Sequence, residues 1–381
     1  MPRKTRGSDI RWSAWAEIDL QALRENLKAI KELVGPQVSI LPVIKSEAYG
    51  HGLIPIAKVL AAEGVYGFGL SDLEEVQRIR EAGLALPVIL LSGFEPSWLP
   101  EIVRLRVIPA VIDLYQLRLL AEFSKRQGKK VALHLKIDTG MNRLGIHPSE
   151  LDQALSLLED NPQLELSGVM SHLAAGEHPR AVITRQQKAL FEEALKEIKR
   201  RGFRPRFIHL ANSAACILDA KARYNLVRPG LALYGVYPGP EARKKIKLKP
   251  VMTYKARVLS VKEVAKGEGV GYGPLYRSQG PMKLALVPVG YDDGYLRALS
   301  NRGFASLKGE RVPVVGAVSM RCTAFDVSAL KDVSPGDEIV LLGGEGGEVP
   351  VEELAARAGL ISYELLCLLG RKVSKIYLRS S

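Results

Sequence analysis

The sequence is poor in cysteine. Its 381 residues hold three, Cys216, Cys322 and Cys367, too few and too scattered for a disulfide framework or a zinc site. It also lacks long apolar runs: stretches such as 86–91 fall far short of the roughly 20 residues that cross a membrane. No apolar stretch follows the charged start MPRKTRGSDIRW, as a secretory signal would require. A cytoplasmic location without a membrane partner is therefore expected. The six histidines show no metal-ligand spacing, so no metal is expected, and no pair of acids is set out for glycoside cleavage. Low-complexity tracts are absent. What remains is the composition of an ordinary globular protein, 47% hydrophobic and 25% charged.

Charge is the one bulk property out of balance, at +13. Basic clusters at 196–206, 243–249 and 371–379 raise the question of a nucleic-acid partner. They carry no interleaved aromatics and no recognisable binding module, so they read as solvated faces, and no nucleic acid is expected. Net charge bears on solubility and nonspecific binding, not on fold.

The length favours two domains. Between residues 19 and 236 eight apolar runs alternate with helical patterns: 38–45, 65–70, 87–92, 107–112, 131–138, 166–172, 207–211 and 226–235. Most are continuous rather than alternating, as for strands buried on both faces of a parallel sheet. Asp19 is a good N-cap for a helix with Leu23, Leu27, Ile30 and Val34 on one face, stopped by Gly35-Pro36. Leu190, Ala194 and Ile198 form a second stripe, ended by Gly202 after a basic last turn. Eight βα repeats predict an α/β fold with a closed TIM-like (β/α)8 barrel, and an open doubly wound sheet is the alternative. From about residue 250 short strands appear between Gly and Pro turns, at 252–264, 283–289, 311–318, 323–327 and 338–342. Helical spacing returns only at 351–358. The expected layout is a barrel over 12–245 and a mainly-β domain over 246–381, with segment 1–20 packing against the latter.

The chemistry gathers at strand ends, the carboxyl-terminal face where barrels carry function. In ILPVIKSEAYGH, Lys45 closes an apolar run just before a glycine-containing loop. An amine there is either a plain surface lysine or a partly desolvated one, which loses its charge readily and attacks aldehydes. The fifth run, HLKIDTGMNRLG, brings Lys136, Asp138 and Arg143; the sixth ends at His172. HLANSAA brings Asn212 and Ser213, and VRPG brings Arg228 and Gly230. Each alone is weak, since a lone strand-end histidine is more often core and a lone glycine a turn. Together they are coherent. Ser213 opens a helix and Gly230 permits close backbone approach, so free N–H groups there suit a phosphate. Arg143 and Arg228 suit a carboxylate, a phenolate or a ring nitrogen. A lysine nucleophile beside a phosphate cradle points to pyridoxal phosphate held as a Schiff base.

VIKSEAYGHG, LKIDTGMNRLG, HLANSAA, VRPGLALYG, VGYGPLY, VGYDDGY and GAVSMRCTAFDV follow one another along the chain. In this order they resemble the alanine racemase family, from AEIDL at 16–20 to SYELLC at 362–367. The resemblance implies a barrel that binds pyridoxal 5'-phosphate, a C-terminal β domain, and a homodimer with shared active sites. It implies interconversion of L- and D-alanine for peptidoglycan. Lys45 then matches the cofactor lysine and the base on one face of the substrate. Tyr272, in VGYGPLY, matches the opposite base, which the family delivers from the partner subunit. His172 matches a residue that packs by the ring and helps tune Tyr272, needed because an ordinary tyrosine has a pKa near 10.

Arg228 matches the partner of the pyridine nitrogen; being always protonated itself, it leaves that nitrogen without a proton. Tyr49, Ser213, Gly230, Leu231 and Tyr363 match the phosphate-binding set, with Asn212 beside them. Arg143 matches the contact to the phenolic oxygen and the substrate carboxylate, and the Met320 backbone N–H the other carboxylate contact. Lys136 matches a position often carbamylated, which turns a cation repelling Arg143 into an anion attracting it. Tyr49 and Tyr363 as packing aromatics, and Gly230 as a turn, are the plainer alternatives. The sequence departs from the family's usual Gly-Arg-Val-Ser-Met-Asp: GAVSMRC has Ala317 for the arginine and Arg321 for the acid. Arg321 is expected to replace the lost cation by pairing with Glu177 near the entrance; the alternative has it pointing to solvent. A racemase of another small amino acid such as serine is one rival reading. A non-catalytic pyridoxal-phosphate-binding protein is another, although such a protein is usually a lone barrel.

Overall fold

The computed structural model describes residues 13–378 apart from 274 and 345. The charged start of the chain, Pro274 within VGYGPLY and the last residue of the 371–379 cluster lie outside the described residues. Strand β1 (Ala14–Asp19) leads into the Leu20–Val34 helix. Asp19 caps that helix, its Oδ1 accepting the Gln21 and Ala22 amides at 2.8 Å. Leu23, Leu27 and Ile30 are buried on one face, and Gly35 ends the helix at φ +83°.

The barrel strands follow: β2 (Ser39–Ile40), β3 (Phe68–Leu70), β4 (Val88–Leu90), β5 (Val107–Val111), β6 (Val131–Lys136), β7 (Leu164–Met170), β8 (Phe207–His209) and β9 (Leu226–Val227). β3 to β8 form one parallel sheet in sequence order, and β2 pairs in parallel with β9. A Val43–Gly69 bridge joins the β2 side to β3, and the Arg228 amide reaches Ala211 O at 3.0 Å on the β8 side. The eight expected runs thus close the TIM-like barrel. Most of the strands are shorter than the runs because the apolar stretches continue past the ladder; β7 keeps its length but starts two residues earlier. After β9, Pro229 has no amide to donate, and the chain turns into a 3-10 helix, Leu231–Tyr234.

The second half contributes β10 (Met252–Arg257), β11 (Ser260–Val264), β12 (Met282–Val287), β13 (Phe304–Leu307), β14 (Glu310–Pro313), β15 (Thr323–Asp326), β16 (Glu338–Leu342) and β17 (Lys375–Leu378). One sheet runs β14-β13-β16-β10-β1-β17, the other β11-β12-β15. β1, from the start of the chain, sits between β10 and β17 in that larger sheet.

Three expectations need correcting. In the Val182–Arg200 helix the buried face is Thr184, Gln187, Phe191, Ala194 and Ile198, while Leu190 is exposed. The neighbouring Phe191 buries more apolar surface and sets the face. Helix is not confined to Val351–Ala358, because Ser362–Lys372 forms another. That helix has no side-chain N-cap to announce it. β13 and β17 were not expected as strands. Both are short, and each is held by its place in the large sheet.

The Ser362–Lys372 helix docks on the segment after Lys45 through glycines. A methyl group on Gly370 would lie 2.2 Å from Gly50 O, and one on Gly50 would lie 2.6 Å from Leu366 O. Basic clusters are ion-paired in several places, as in Arg201 with Asp152 and Glu159 and Arg243 with Glu352. Among the described residues no helix is long and apolar enough to cross a membrane. The glycine contact predicts that Gly370→Ala lowers the unfolding free energy by about 1–3 kcal/mol, as overpacking does. Urea denaturation followed by circular dichroism measures it, with a smaller loss for Gly280→Ala, whose methyl meets open space.

Candidate active site

A cavity of about 660 Å³ opens where the barrel strands end. Lys45, Tyr49, Lys136, Arg143 and His172 line it from the first six strand ends. Asn212, Ser213, Arg228, Gly230 and Leu231 line it from the last two, and Tyr363 comes from the C-terminal helix. Tyr272 and Met320 do not. Tyr272 is 74% exposed and Met320 58%, both on the outer surface of the second half.

Lys45 is followed by Ser46, Glu47, Ala48 and Tyr49, all with φ between 53° and 56°. A left-handed helical residue costs roughly 1–2 kcal/mol, so this turn is held by its surroundings. Burial, then the Arg143 charge, lowers the Lys45 amine below the ordinary lysine range. Lys136 donates to Leu91 O at 3.0 Å. Burial, then Arg228, Arg143 and Lys45, pulls it down to about 7. A large share of the Lys136 amine is therefore neutral at neutral pH.

Arg143 sits on a loop organised by Asp138. That carboxylate accepts the amides of Gly140, Met141, Asn142 and Arg143 at 2.9–3.2 Å. Burial pushes Asp138 up, but these four donors outweigh it and hold the carboxyl below its usual range.

Ser213 Oγ accepts the amides of Gly230 at 2.9 Å and Ala232 at 3.2 Å, and the Asn212 side chain caps the Ser213–Leu218 helix. A methyl group on Gly230 would lie 2.5 Å from Tyr49 Oη, so that hydroxyl fits only over glycine. Burial raises both Tyr49 and Tyr363, leaving two neutral hydroxyls at this end.

Arg228 is 3% exposed. Its terminal nitrogens donate to Ser171 O (2.6 Å), His209 O (2.8 Å), His209 Nδ1 (2.7 Å) and Leu210 O (3.2 Å). With Nδ1 accepting, neutral His209 carries its proton on Nε2 and donates to His134 Nδ1 at 2.7 Å. Burial lowers Arg228 to about 9, still charged at neutral pH. Neither His209 nor His134 was expected from the sequence. His209 was findable as the first residue of HLANSAA at a strand end; His134, in mid-strand, gave no signal.

Lys45, Lys136, Arg143 and Arg228 face one cavity in which, among the described residues, Glu364 is the sole acidic lining residue. Such a site favours an anion, and the Tyr49–Ser213–Gly230 end is shaped for a compact oxyanion. Nearly the whole chain matches two family models, "Alanine racemase, N-terminal domain" over residues 18–238 and "Alanine racemase, C-terminal domain" over 251–377. The chain belongs to the alanine racemase family.

The alanine racemase of Syntrophobacter fumaroxidans is 40% identical over 365 residues, 96% of this chain and 97% of that protein. The Bacillus anthracis alanine racemase solved with bound L-Ala-P is 32% identical with a TM-score of 0.89, covering 98% of this chain and 96% of that one. The Bartonella henselae alanine racemase, solved with covalently bound pyridoxal phosphate, is 29% identical with a TM-score of 0.87, covering 97% and 100%.

The alanine racemase pattern is altered around Arg321, and one expectation there fails. Arg321 pairs with Asp293 at 3.5 Å, not with Glu177. Asp293 lies on the adjoining Tyr291–Asp293 turn, whereas Glu177 lies beside Tyr363 and Gly239. The Arg321 side chain is 66% exposed, so the pair contributes about 0–1 kcal/mol. Among the described residues no group of three or more His, Cys, Asp or Glu side chains is placed to hold a metal ion.

Burial keeps four histidines neutral: His51 is lowered to about 4, His134 and His172 to about 3, and His209 well below its ordinary value. The unfolded chain takes up protons near pH 6.5 while the folded one does not, so stability falls as pH drops from there toward 3. A tenfold difference in proton affinity between the two states is worth about 1.4 kcal/mol. Urea midpoints taken between pH 7 and 4 are expected to fall steadily. The slope is expected to flatten in His51→Gln, whose site lies away from the cavity.

Proposed function

We propose that this protein is a pyridoxal-phosphate-dependent racemase that interconverts L- and D-alanine. The observation that carries this reading is the convergence of Lys45, Arg228 and the Tyr49–Ser213–Gly230 cradle on one cationic cavity. The residues fit the cofactor: an amine that burial and Arg143 hold below the ordinary lysine range for its aldehyde, a charged guanidinium for its ring nitrogen, and a glycine-floored end for its phosphate. When bound, pyridoxal phosphate supplies the electron withdrawal that acidifies the amino acid's Cα–H.

The protein's part is to orient and to move protons. Ser213 Oγ, Tyr49 Oη, Tyr363 Oη and the Gly230–Leu231 backbone would hold the phosphate, with Asn212 setting the helix beside it. Arg228 would offer the ring nitrogen a hydrogen-bond donor that does not release its proton, which would leave the bound ring a weaker electron sink and disfavour side reactions that need a stronger one. Arg143 holds the substrate carboxylate. Carbamylation of Lys136 needs a neutral amine, and its lowered pKa provides one. Lys45 Nζ removes or returns the Cα proton on one face.

The opposite face needs a second base. We assign that role to Tyr272 of a second copy of the chain, with the Met320 backbone N–H as a further carboxylate contact and His172 beside the tyrosine. The exposure of Tyr272 and Met320, away from their own chain's cavity, supports a homodimer with shared sites. A racemase of serine or another small amino acid would use the same parts, and rates across amino acids separate the readings. Supply of D-alanine for peptidoglycan is the role that this activity suits.

Two measurements test the assignment. Lys45→Ala is expected to lose the near-visible cofactor absorbance and the borohydride-reducible link to protein, with racemisation reduced by about 10³-fold or more. A reducible link retained on another lysine refutes it. Tyr272→Phe is expected to keep the absorbance and to lose about 10²–10⁴-fold in rate in both directions, as loss of a general base does. Mixing it with Lys45→Ala restores part of the activity, because a mixed dimer holds one intact site. No recovery in demonstrated heterodimers refutes the shared site.

A further inference from the structure

Behind the Lys45 turn lies a second cavity of about 580 Å³ that shares Lys45, Ser46 and Cys367 with the first. Its far wall is the Leu73–Glu81 helix with its N-cap Asp72. That helix grips the left-handed turn at one residue. Glu75 Oε1 accepts the Glu47 backbone N–H at 2.9 Å. Arg78, three residues on and so on the same helix face, holds the Glu47 carboxylate with both terminal nitrogens. The same carboxylate accepts the Leu53 amide at 3.3 Å.

Glu47 is thus fixed by backbone and side chain together, in a conformation an L-residue does not hold unaided. Glu75 is 9% exposed, an unusual burial for an acid. The charged and titratable groups around it are Asp72, Glu74 and Arg78 from its own element. Glu47 and Lys45 face it from the turn, Tyr234 from the Leu231–Tyr234 3-10 helix, and Cys367 and Arg371 from the C-terminal helix. In the first cavity Lys45 faces cations. Behind it stands Glu75.

We propose that Glu75 is a positioning residue for Lys45: its carboxylate pins the left-handed turn that places the amine, and its charge opposes the cations on the cavity side. This deepens the reading of Lys45 as the reactive amine and rests on it. The electrostatics agree, because Glu75 raises the Lys45 amine against the lowering by burial and Arg143.

The test uses the full-length apoprotein, so that it does not depend on turnover. Glu75→Gln keeps an oxygen to accept the Glu47 amide but removes the charge; Glu75→Ala removes both. Hydrogen exchange over residues 44–53 reads the turn, and pH-dependent labelling of Lys45 by acetic anhydride, located by mass spectrometry, reads the amine. In Glu75→Ala, exchange over 44–53 is expected to quicken about 10-fold or more while residues 107–111 keep their protection. In Glu75→Gln, exchange stays near the parent's, and the Lys45 labelling midpoint moves to lower pH.

Unchanged exchange in Glu75→Ala, or an unmoved midpoint in Glu75→Gln, overturns the proposal. If Glu75→Ala does not fold, the Glu75→Gln midpoint decides alone. A parent holoenzyme that fails to racemise alanine counts against the functional reading while leaving these apoprotein results intact.

Discussion

Arg228 is a buried guanidinium at the seam where the barrel closes, and such a charge is tolerated only with its donors matched. It finds its acceptors on the neighbouring strand ends: Ser171 O beyond β7, His209 and Leu210 at the end of β8. His209 in turn binds His134 of β6. One cation therefore ties the ends of β7, β8 and its own β9, reaches the middle of β6 through His209, and dictates the tautomers of two histidines. Its charge also helps hold His172 and Lys136 in their neutral forms. Replacing it by a neutral residue would leave several buried acceptors unmatched, each costing about 1–3 kcal/mol.

The other organising contact joins the two halves of the chain. The Ser362–Lys372 helix reaches the active cavity because Gly370 and Gly50 let two backbones meet. It brings Tyr363 and Cys367 to the cavity wall and closes the rear one with Arg371. The barrel places the amine, and the C-terminal half completes its surroundings.

The barrel was legible because parallel strands buried on both faces write continuous apolar runs, and eight such runs with helices between them leave little choice of fold. The cavity was legible because polar residues appear where the apolar runs end, which marks Lys45, His172, Asn212 and Arg228. The Ser362–Lys372 helix was not, for want of a capping side chain, nor were β13 and β17, which are short and held by their sheet neighbours. Glu75 and Arg78 were invisible for a different reason. They act on a residue about thirty positions away, and nothing in a helix of charged residues marks which acid faces inward. Arg321 pairs with Asp293 on the adjoining turn and not with Glu177, because spacing along the chain does not record which of two distant segments lies beside a side chain.

β1 lies between β10 and β17, so the first described strand of the chain is paired by strands made near its end. Ile18 waits for Met252 across roughly 230 residues, about 10–50 s at ordinary ribosomal speeds of 5–20 residues per second. During that interval the strand AWAEID has both edges open, with Trp15, Ala16 and Ile18 still to be buried. A nascent chain that has already emitted a nearly whole barrel therefore still exposes an adhesive ribbon at its beginning. Synthesis, rather than denaturation, is the stage at which this fold is most open to capture by chaperones or by other copies of itself.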